Sequence, residues 1–168
     1  MDAFEAIRRR RSVREFSGKT LSKGDIEALV DSGRLAPTAR KEEPWEFVVV
    51  SERDRLARLA GLTDHGRFIA EAACAIVVVC RDTKYYLEDG CAATENILIA
   101  ASAMGLGACW VAGDKKHYSA NVLEFVGAPA AMKLISILAI GYPKTATSPI
   151  EKRPIESVIH WEDRKSVV

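Results

Sequence analysis

Residues 96–113 read NILIAASAMGLGACWVAG and carry no charged side chain over their whole length. A stretch of this length lies at the lower limit of a membrane-spanning helix. Gly105 and Gly107 interrupt it, however, and divide it into an apolar helical part and a short strand-like part that ends at Gly113. We therefore interpret the stretch as a buried helix followed by a buried strand, and not as a membrane anchor.

The helix that enters this stretch is predicted over residues 87–104. Apolar or small residues occupy most of its circumference, so we expect the helix to lie at the centre of the molecule or of a dimer. The residues expected to be buried are Ala92, Ala93, Ile97, Ala100, Ala101 and Met104.

The flanking segments predict a sheet with helices on both of its faces. Residues 47–50, 75–79, 108–111 and 134–140 are rich in β-branched side chains and apolar on both faces, as expected for covered strands. Helical patterns occupy residues 53–60 and 118–126. Asp2 is expected to cap a first helix, and Ser22 with Asp25 to begin a second one that Pro37 ends.

Length and charge restrict the classes of function. A chain of 168 residues suits one globular domain, and 24 basic against 23 acidic residues give a net charge of +1. Such a chain has no overall field to attract nucleic acid or a membrane, so any anion site must be local. The chain begins without an apolar leader, which predicts a cytoplasmic protein. Four cysteines without a C-x-x-C pair and three scattered histidines indicate neither a metal site nor a redox dithiol.

The most distinctive polar motif is the basic segment Arg10-Arg11-Ser12-x-Arg14. Three guanidinium groups so close together repel one another, and a phosphate or carboxylate ligand would neutralise them well. The alternative is a solvated basic face paired with nearby glutamates such as Glu5. RNA binding is a further alternative, although no aromatic residue is interleaved with the arginines to stack on bases.

Other polar or glycine-rich positions are less specific by themselves. Asp89 and Asn96 lie on the apolar helix, where a buried polar group left unpaired costs about 1–3 kcal/mol, so we expect them to clamp a neighbouring loop. The glycines of residues 105–113 precede a strand, which excludes a Rossmann fingerprint, but they could admit a flat ligand. The sequence contains no recognisable pairing of nucleophile and base, which favours chemistry performed by a cofactor.

Taken in order, five segments between Ala3 and Trp161 resemble the nitroreductase family of FMN-dependent flavoproteins. These segments are Arg10-Arg11-Ser12-x-Arg14-x-Phe16, Ala36-Pro37-Thr38 to Pro44-Trp45, Asp89-Gly90-x-Ala92 to Asn96, Gly105-Leu106-Gly107 to Trp110, and Gly141-Tyr142-Pro143 with Lys152-Arg153-Pro154.

The resemblance implies an α+β fold in which helices flank a mostly antiparallel central sheet. Residues 1–168 would form a single FMN-binding domain, and two copies would form a homodimer with two FMN sites at the interface. Residues 142–168 would form a C-terminal arm that packs on the partner subunit. The apolar residues between Ile155 and Trp161 are consistent with such an arm exchange.

The resemblance also implies which residues hold the cofactor. Those assigned to the phosphate and ribityl chain are Arg10, Ser12 and Arg14, together with either Lys152 or Arg153. Arg11 would lie beside them and reach the flavin edge. The residues that would reach the flavin ring from the second subunit are Pro37, Thr38 and Lys41. The residues that would line the opposite side of the ring are Trp110, Val111, Ala112 and Gly113.

By the same resemblance, the protein would use NADH or NADPH to reduce electron-poor acceptors such as nitroaromatics, quinones or flavins by a ping-pong mechanism. The flavin would perform the chemistry without a catalytic side chain, while Arg11, Arg14 or Lys41 could supply positive charge at its edge. Alternatives are a dehalogenase-like or flavin-cleaving enzyme of the same fold, and a non-catalytic FMN-binding protein. Lys41, Glu43 and Ala112 depart from the family's usual Asn, Gln and Glu, and the chain is short, which suggests a shallow, open site.

Overall fold

The central element is a four-stranded sheet. A computed structural model describes residues 1–146 and 151–164, so the arm positions 147–150 and 165–168 lie outside the described residues. The strands are β1 (Trp45–Val50), β2 (Cys74–Cys80), β3 (Gly107–Ala112) and β4 (Lys133–Gly141). Their order is β1-β2-β4-β3, and every neighbouring pair is antiparallel. All four predicted strands are confirmed, each slightly longer than its apolar run.

Within residues 1–146 and 151–164, five α-helices accompany the sheet, and each confirms a predicted helix. They are α1 (Ala3–Arg9), α2 (Lys23–Arg34), α3 (Arg53–Gly61), α4 (Tyr86–Ala103) and α5 (Ser119–Val126). The side chain of Asp2 accepts a hydrogen bond from the Glu5 amide at 2.9 Å, and Ser22 and Asp25 form a reciprocal capping box. Short 3₁₀ helices at Ala39–Lys41, Arg67–Glu71 and Ile155–Ser157 were not predicted.

The sheet separates two hydrophobic cores, as the doubly apolar strands predict. On one face, Leu56 and Leu59 of α3 pack with Val122 of α5 against the strands. On the other face, Leu29 of α2 and Ile97 of α4 are fully buried. In the described part of the chain, no helix is both long enough and apolar enough to cross a membrane.

Helix α4 lies at the centre of the second layer, where it packs against α1, α2 and the sheet. Ala93, Ile97 and Ala101 are completely buried. Thr94, also buried, shares a 2.8 Å hydrogen bond with the Ser136 hydroxyl of β4. Met104 is 38% exposed in the chain alone, contrary to our expectation, because α4 ends one residue before it.

Helix-to-sheet packing at Gly90 can be tested by adding one methyl group. A Cβ at Gly90 would lie 2.6 Å from Ile135 Cγ1 and 3.0 Å from Cys80 Sγ. We expect Gly90→Ala to lower the free energy of unfolding by about 1–3 kcal/mol in urea denaturation, because the site is already filled.

The matched control is Gly61→Ala at the end of α3, where a Cβ would meet no atom within 4 Å. Alanine there restricts the unfolded chain and favours the helix, so stability should stay unchanged or rise by up to about 1 kcal/mol. A Gly90→Ala protein as stable as the Gly61→Ala protein would contradict the described packing.

Candidate functional site

The basic N-terminal segment is held beside the edge strand β3. Ser12 forms a parallel bridge with Ala108, and the Val13 amide donates to the Ala108 carbonyl at 3.0 Å. Two further backbone hydrogen bonds continue this attachment. The Ser17 amide donates to the Tyr142 carbonyl at 2.9 Å, and the Lys144 amide donates to the Glu15 carbonyl at 3.0 Å. The segment is therefore fixed between β3 and the chain that leaves β4.

Two paired glycines make room for this attachment. Gly107 and Gly141 lie opposite each other in β3 and β4. A Cβ at Gly107 would lie 2.7 Å from Val13 Cβ, and a Cβ at Gly141 would lie 3.0 Å from Phe16 Cδ1. We had expected the glycine-rich stretch to admit a flat ligand; at Gly107 the space instead accommodates Val13, a buried residue of the same chain.

Arg10, Ser12 and Arg14 alternate along the extended segment and so point to one side of it, while Val13 points into the core. The three act on the same buried thiol, that of Cys109. Burial raises the pKa of Cys109, and Arg14, a hydrogen bond from Ser12 and the charge of Arg10 oppose that rise. The structure thus brings these three predicted site residues together at β3.

The positive charges of this group are poorly neutralised within the chain. Across residues 1–146 and 151–164, Arg14 has no carboxylate oxygen within 4.0 Å, and its guanidinium lies 5.8 Å from the centroid of the Phe68 ring. Arg10 Nε is 3.6 Å from Glu95 Oε1, and both side chains are partly exposed. Glu5, considered as a neutralising partner, instead pairs with Arg9. These observations favour a local anion site over a self-neutralised basic face.

Arg11 is oriented differently from its neighbours. Its Nη1 donates to the carbonyls of Arg8 at 2.6 Å and Arg10 at 2.7 Å, next to the end of α1. A cation there compensates the partial negative charge of the exposed carbonyls. In the described chain Arg11 therefore serves α1, and its role at a flavin edge stays a prediction that would need another side-chain conformation.

The polar loop before β1 is clamped by α4. The Thr38 hydroxyl donates to Asp89 Oδ2 at 2.9 Å, and the Ala39 amide donates to Asp89 Oδ1 at 3.0 Å. Asp89 is 4% exposed, so both carboxylate oxygens are used in a buried setting. The expected loop clamp is confirmed for Asp89. Asn96 instead donates to the Ser32 carbonyl at 3.0 Å and holds α2, not the loop.

The same loop has an unusual backbone. Arg40, Lys41 and Glu43 have φ angles of 57°, 58° and 43°, in the left-handed region that costs non-glycine residues about 1–2 kcal/mol each. Arg81 supports this conformation, because its Nη2 donates to the Glu42 carbonyl at 2.6 Å. The sequence carries no local signal for Arg81, which lies far away along the chain. Lys41 is exposed at the outer surface of the loop, as is Pro37.

The last group of predicted site residues forms the end of β3. Val111 and Gly113 are buried, Trp110 is partly buried and Ala112 is exposed. Because β3 is the outer strand, every second peptide group along it faces away from β4. The Tyr118 hydroxyl donates to the Ala112 carbonyl and fixes this end. The end of β3 thus presents a small exposed side chain, while the carbonyls of Ala112 and Gly113 accept hydrogen bonds from Tyr118 and Ser119.

The predicted site residues near the C-terminus are exposed to solvent. Lys152 and Arg153 are exposed and form no ion pair with any residue in the described ranges. Ile155, Val158 and Trp161 are 65%, 48% and 75% exposed. Apolar side chains so exposed are typical of a surface that another chain covers.

The donor groups fit FMN. Two poorly neutralised guanidinium groups and a hydroxyl suit a phosphate and a ribityl chain, and the small exposed side chain of Ala112 leaves room for a flat ring. The Asp89-clamped loop is attached near the start of α4, whereas Arg10 meets Glu95, about 9 Å further along the helix axis. One chain thus presents two separate groups of predicted cofactor-binding residues.

Comparisons with known proteins show the family to which the chain belongs. The family model described as "Putative TM nitroreductase" matches residues 2–167. A protein of Archaeoglobus fulgidus named "Putative NADH dehydrogenase/NAD(P)H nitroreductase" is 35% identical over 151 residues, which cover 85% of this chain and 86% of that protein. The chain therefore belongs to the nitroreductase family, as its motifs indicated.

Solved structures confirm the α+β fold. A protein with the same name from Bacteroides thetaiotaomicron has a TM-score of 0.91 at 33% identity, with 95% of this chain and 96% of that chain covered. A Desulfovibrio desulfuricans structure, described as a "putative nitroreductase in complex with fmn", has a TM-score of 0.85 at 26% identity, with 97% and 98% covered.

The loop clamp can be tested with Asp89→Asn, which replaces one acceptor oxygen by an NH₂ donor facing another donor. We expect the free energy of unfolding to fall by about 1–3 kcal/mol. Trypsin should also cleave faster after Arg40 and Lys41, because the loop that carries them loses a support. Both effects can be measured, by urea denaturation and by mass spectrometry of timed digests.

Asp54→Asn, an exposed change in the first turn of α3, is the matched control; it removes only a charge that favours the helix start, so it should lower stability by less than about 1 kcal/mol and leave cleavage after Arg40 and Lys41 unchanged. If Asp89→Asn behaves like this control in both measurements, Asp89 does not hold the loop.

Proposed function

We propose that this protein is an FMN-dependent oxidoreductase that uses NAD(P)H to reduce electron-poor small molecules such as nitroaromatics, quinones and flavins. The observation that carries the proposal is the Arg10–Arg14 segment. In a chain of the nitroreductase family, it is fixed beside β3, and within residues 1–146 and 151–164 Arg14 has no carboxylate oxygen within 4.0 Å, while Arg10 has only a partly exposed contact with Glu95. The cited relatives support the same class of reaction through their names.

In this proposal Arg10 and Arg14 hold the cofactor phosphate. An FMN phosphate carries about two negative charges at neutral pH, which Arg10 and Arg14 would neutralise, while Ser12 would bind the ribityl chain. Either Lys152 or Arg153 would complete the phosphate site. Both are exposed without an ion-pair partner among the described residues, and are thus available to an anion.

The remaining contacts would come from a second copy of the chain. Pro37, Thr38 and Lys41 lie on the clamped loop, which is attached to α4 at Asp89, about 9 Å along the helix axis from Glu95, the residue that Arg10 contacts. The exposed apolar residues Ile155 and Trp161 support an arm, within residues 142–168, that packs on the partner. Each subunit would then be one domain that supplies half of each of two sites.

Bound FMN would supply the two-electron chemistry between NAD(P)H and an acceptor, in a ping-pong mechanism. The side chains of the protein would bind the cofactor and orient it. Arg14 or Lys41 would stabilise negative charge at the flavin edge. Because burial raises the pKa of Cys109, its thiol stays protonated near neutral pH, and we assign it no nucleophilic role. The end of β3 from Trp110 to Gly113 would line the ring.

The proposal predicts a yellow protein that releases FMN on denaturation. Arg14→Ala should weaken FMN binding by about 1–3 kcal/mol, or roughly tenfold to a hundredfold, because a charge-assisted contact is lost. Quenching of flavin fluorescence during titration of the apoprotein measures this affinity. Arg9→Ala is the matched control, since Arg9 is an exposed arginine paired with Glu5.

A colourless protein that cannot be reconstituted with FMN would overturn the proposal. Equal FMN affinities of the Arg14→Ala and Arg9→Ala proteins would show that the arginine group is misassigned. Loss of the flavin absorbance on anaerobic addition of NADH or NADPH separates an enzyme from a non-catalytic FMN-binding protein.

A further inference from the structure

A second group of positive charges surrounds Tyr85, just before α4. Arg40 Cζ lies 5.9 Å from the centroid of the Tyr85 ring, and Lys84 Nζ lies 5.2 Å from it. We call these three residues the Tyr85 cluster. Both cations are exposed, and the ring is partly buried, so the cluster faces solvent. A weak attraction to the same ring favours side-chain conformations that keep each cation within about 6 Å of its centroid.

In the described part of the chain, the two cations of the cluster form no ion pair. In residues 1–146 and 151–164, neither Arg40 nor Lys84 has a carboxylate oxygen within 4.0 Å. Elsewhere on the surface such pairing is common, as between Lys133 and Asp82 at 3.1 Å. Two unneutralised cations and the Tyr85 hydroxyl supply the donors that a phosphate requires.

The backbone keeps the Tyr85 cluster in place. Arg40 has a left-handed φ of 57° in the loop that Asp89 clamps from within and Arg81 supports through the Glu42 carbonyl. Lys84 and Tyr85 immediately precede α4, the helix that provides Asp89. Both cations are thus attached to a fixed part of the fold, which reduces the entropy lost when a ligand binds.

The cluster adjoins the proposed cofactor site, because Arg40 is next to Lys41 on the loop assigned to the flavin of the partner subunit. This position is suitable for the part of an electron donor that extends beyond the flavin. NADPH differs from NADH by a phosphate monoester on the adenosine 2′-oxygen, and that group carries about two negative charges near neutral pH.

We propose that the Tyr85 cluster binds the 2′-phosphate of NADPH and makes NADPH the preferred electron donor. This inference rests on the proposed function, since it concerns the donor of the same reaction. NADH lacks the group that Arg40 and Lys84 would neutralise. Its pyrophosphate, which both donors share, would bind elsewhere and contribute no preference.

The kinetic test uses Arg40→Asn, Lys84→Gln and the double variant. Asparagine tolerates the left-handed conformation, so the loop keeps its shape while the charge is removed. We expect the wild-type protein to have the higher kcat/KM with NADPH. The ratio of kcat/KM for NADPH to that for NADH should fall roughly tenfold in each single variant, mainly through KM, and further in the double variant.

Arg58→Asn is the matched control for these variants. Arg58 also lies over an aromatic ring, 5.3 Å from the centroid of Phe125, but it belongs to α3 on the opposite face of the sheet. Its removal should leave the ratio unchanged. Higher ionic strength should reduce the NADPH preference of the wild-type protein, because exposed charges are screened.

The binding test is independent of turnover. Calorimetry of the FMN-loaded protein with adenosine 2′,5′-bisphosphate should show tighter binding than with adenosine 5′-diphosphate, and the double variant should lose this difference. If adenosine 5′-diphosphate binds equally well and the variant weakens both ligands, the cluster binds the pyrophosphate and the inference is wrong.

The two proposals fail in different ways. Reduction of the flavin by both nicotinamides, with a ratio that the variants do not change, would overturn the inference and leave the proposed function intact. If neither nicotinamide reduces the bound flavin, the proposed function fails, and the two adenosine ligands still decide whether the Tyr85 cluster binds a 2′-phosphate.

Discussion

Helix α4 is the constraint on which the rest of the structure depends. It is buried between the sheet and two other helices, and its few polar groups are used for attachment. Asp89 accepts both hydrogen bonds from the loop before β1, and the Ser102 hydroxyl donates to the Ala6 carbonyl of α1 at 2.8 Å. The loop and the start of the arginine segment are therefore held by one rigid element, at positions several turns apart.

In the arginine segment, residues 10–14, one side chain packs in the core while its neighbours carry positive charge at the surface. Val13 enters the space that Gly107 leaves open, and this contact fixes the backbone while Arg10 and Arg14 stay at the surface. The chain neutralises them poorly, so it keeps a strong local positive charge despite a net charge of only +1. A ligand phosphate compensates such a cluster better than exposed glutamates do, because exposed ion pairs contribute little.

Much of the fold followed from the sequence, since β-branched runs, capping residues and apolar periodicity are local signals. Asp2 and Ser22 predicted where α1 and α2 begin, and the order of the motifs indicated the family. Contacts between residues far apart along the chain could not be predicted from these local signals. Arg81 supports a loop about forty residues away, and the turn of Arg11 onto α1 depends on three-dimensional geometry. The left-handed backbone at Arg40 likewise has no signal in its residue type.

In the proposed homodimer, each cofactor site would combine the arginine segment of one subunit with the loop of the other. Mixed dimers of an Arg14→Ala chain and a Lys41→Ala chain, separated by different affinity tags, test it most directly. Such a dimer would contain one site with both changes and one unchanged site. The account predicts one tightly bound FMN per mixed dimer, measured by flavin absorbance after dialysis, and weak binding by both parent homodimers. Mixed dimers that bind FMN as weakly as their parents would contradict it.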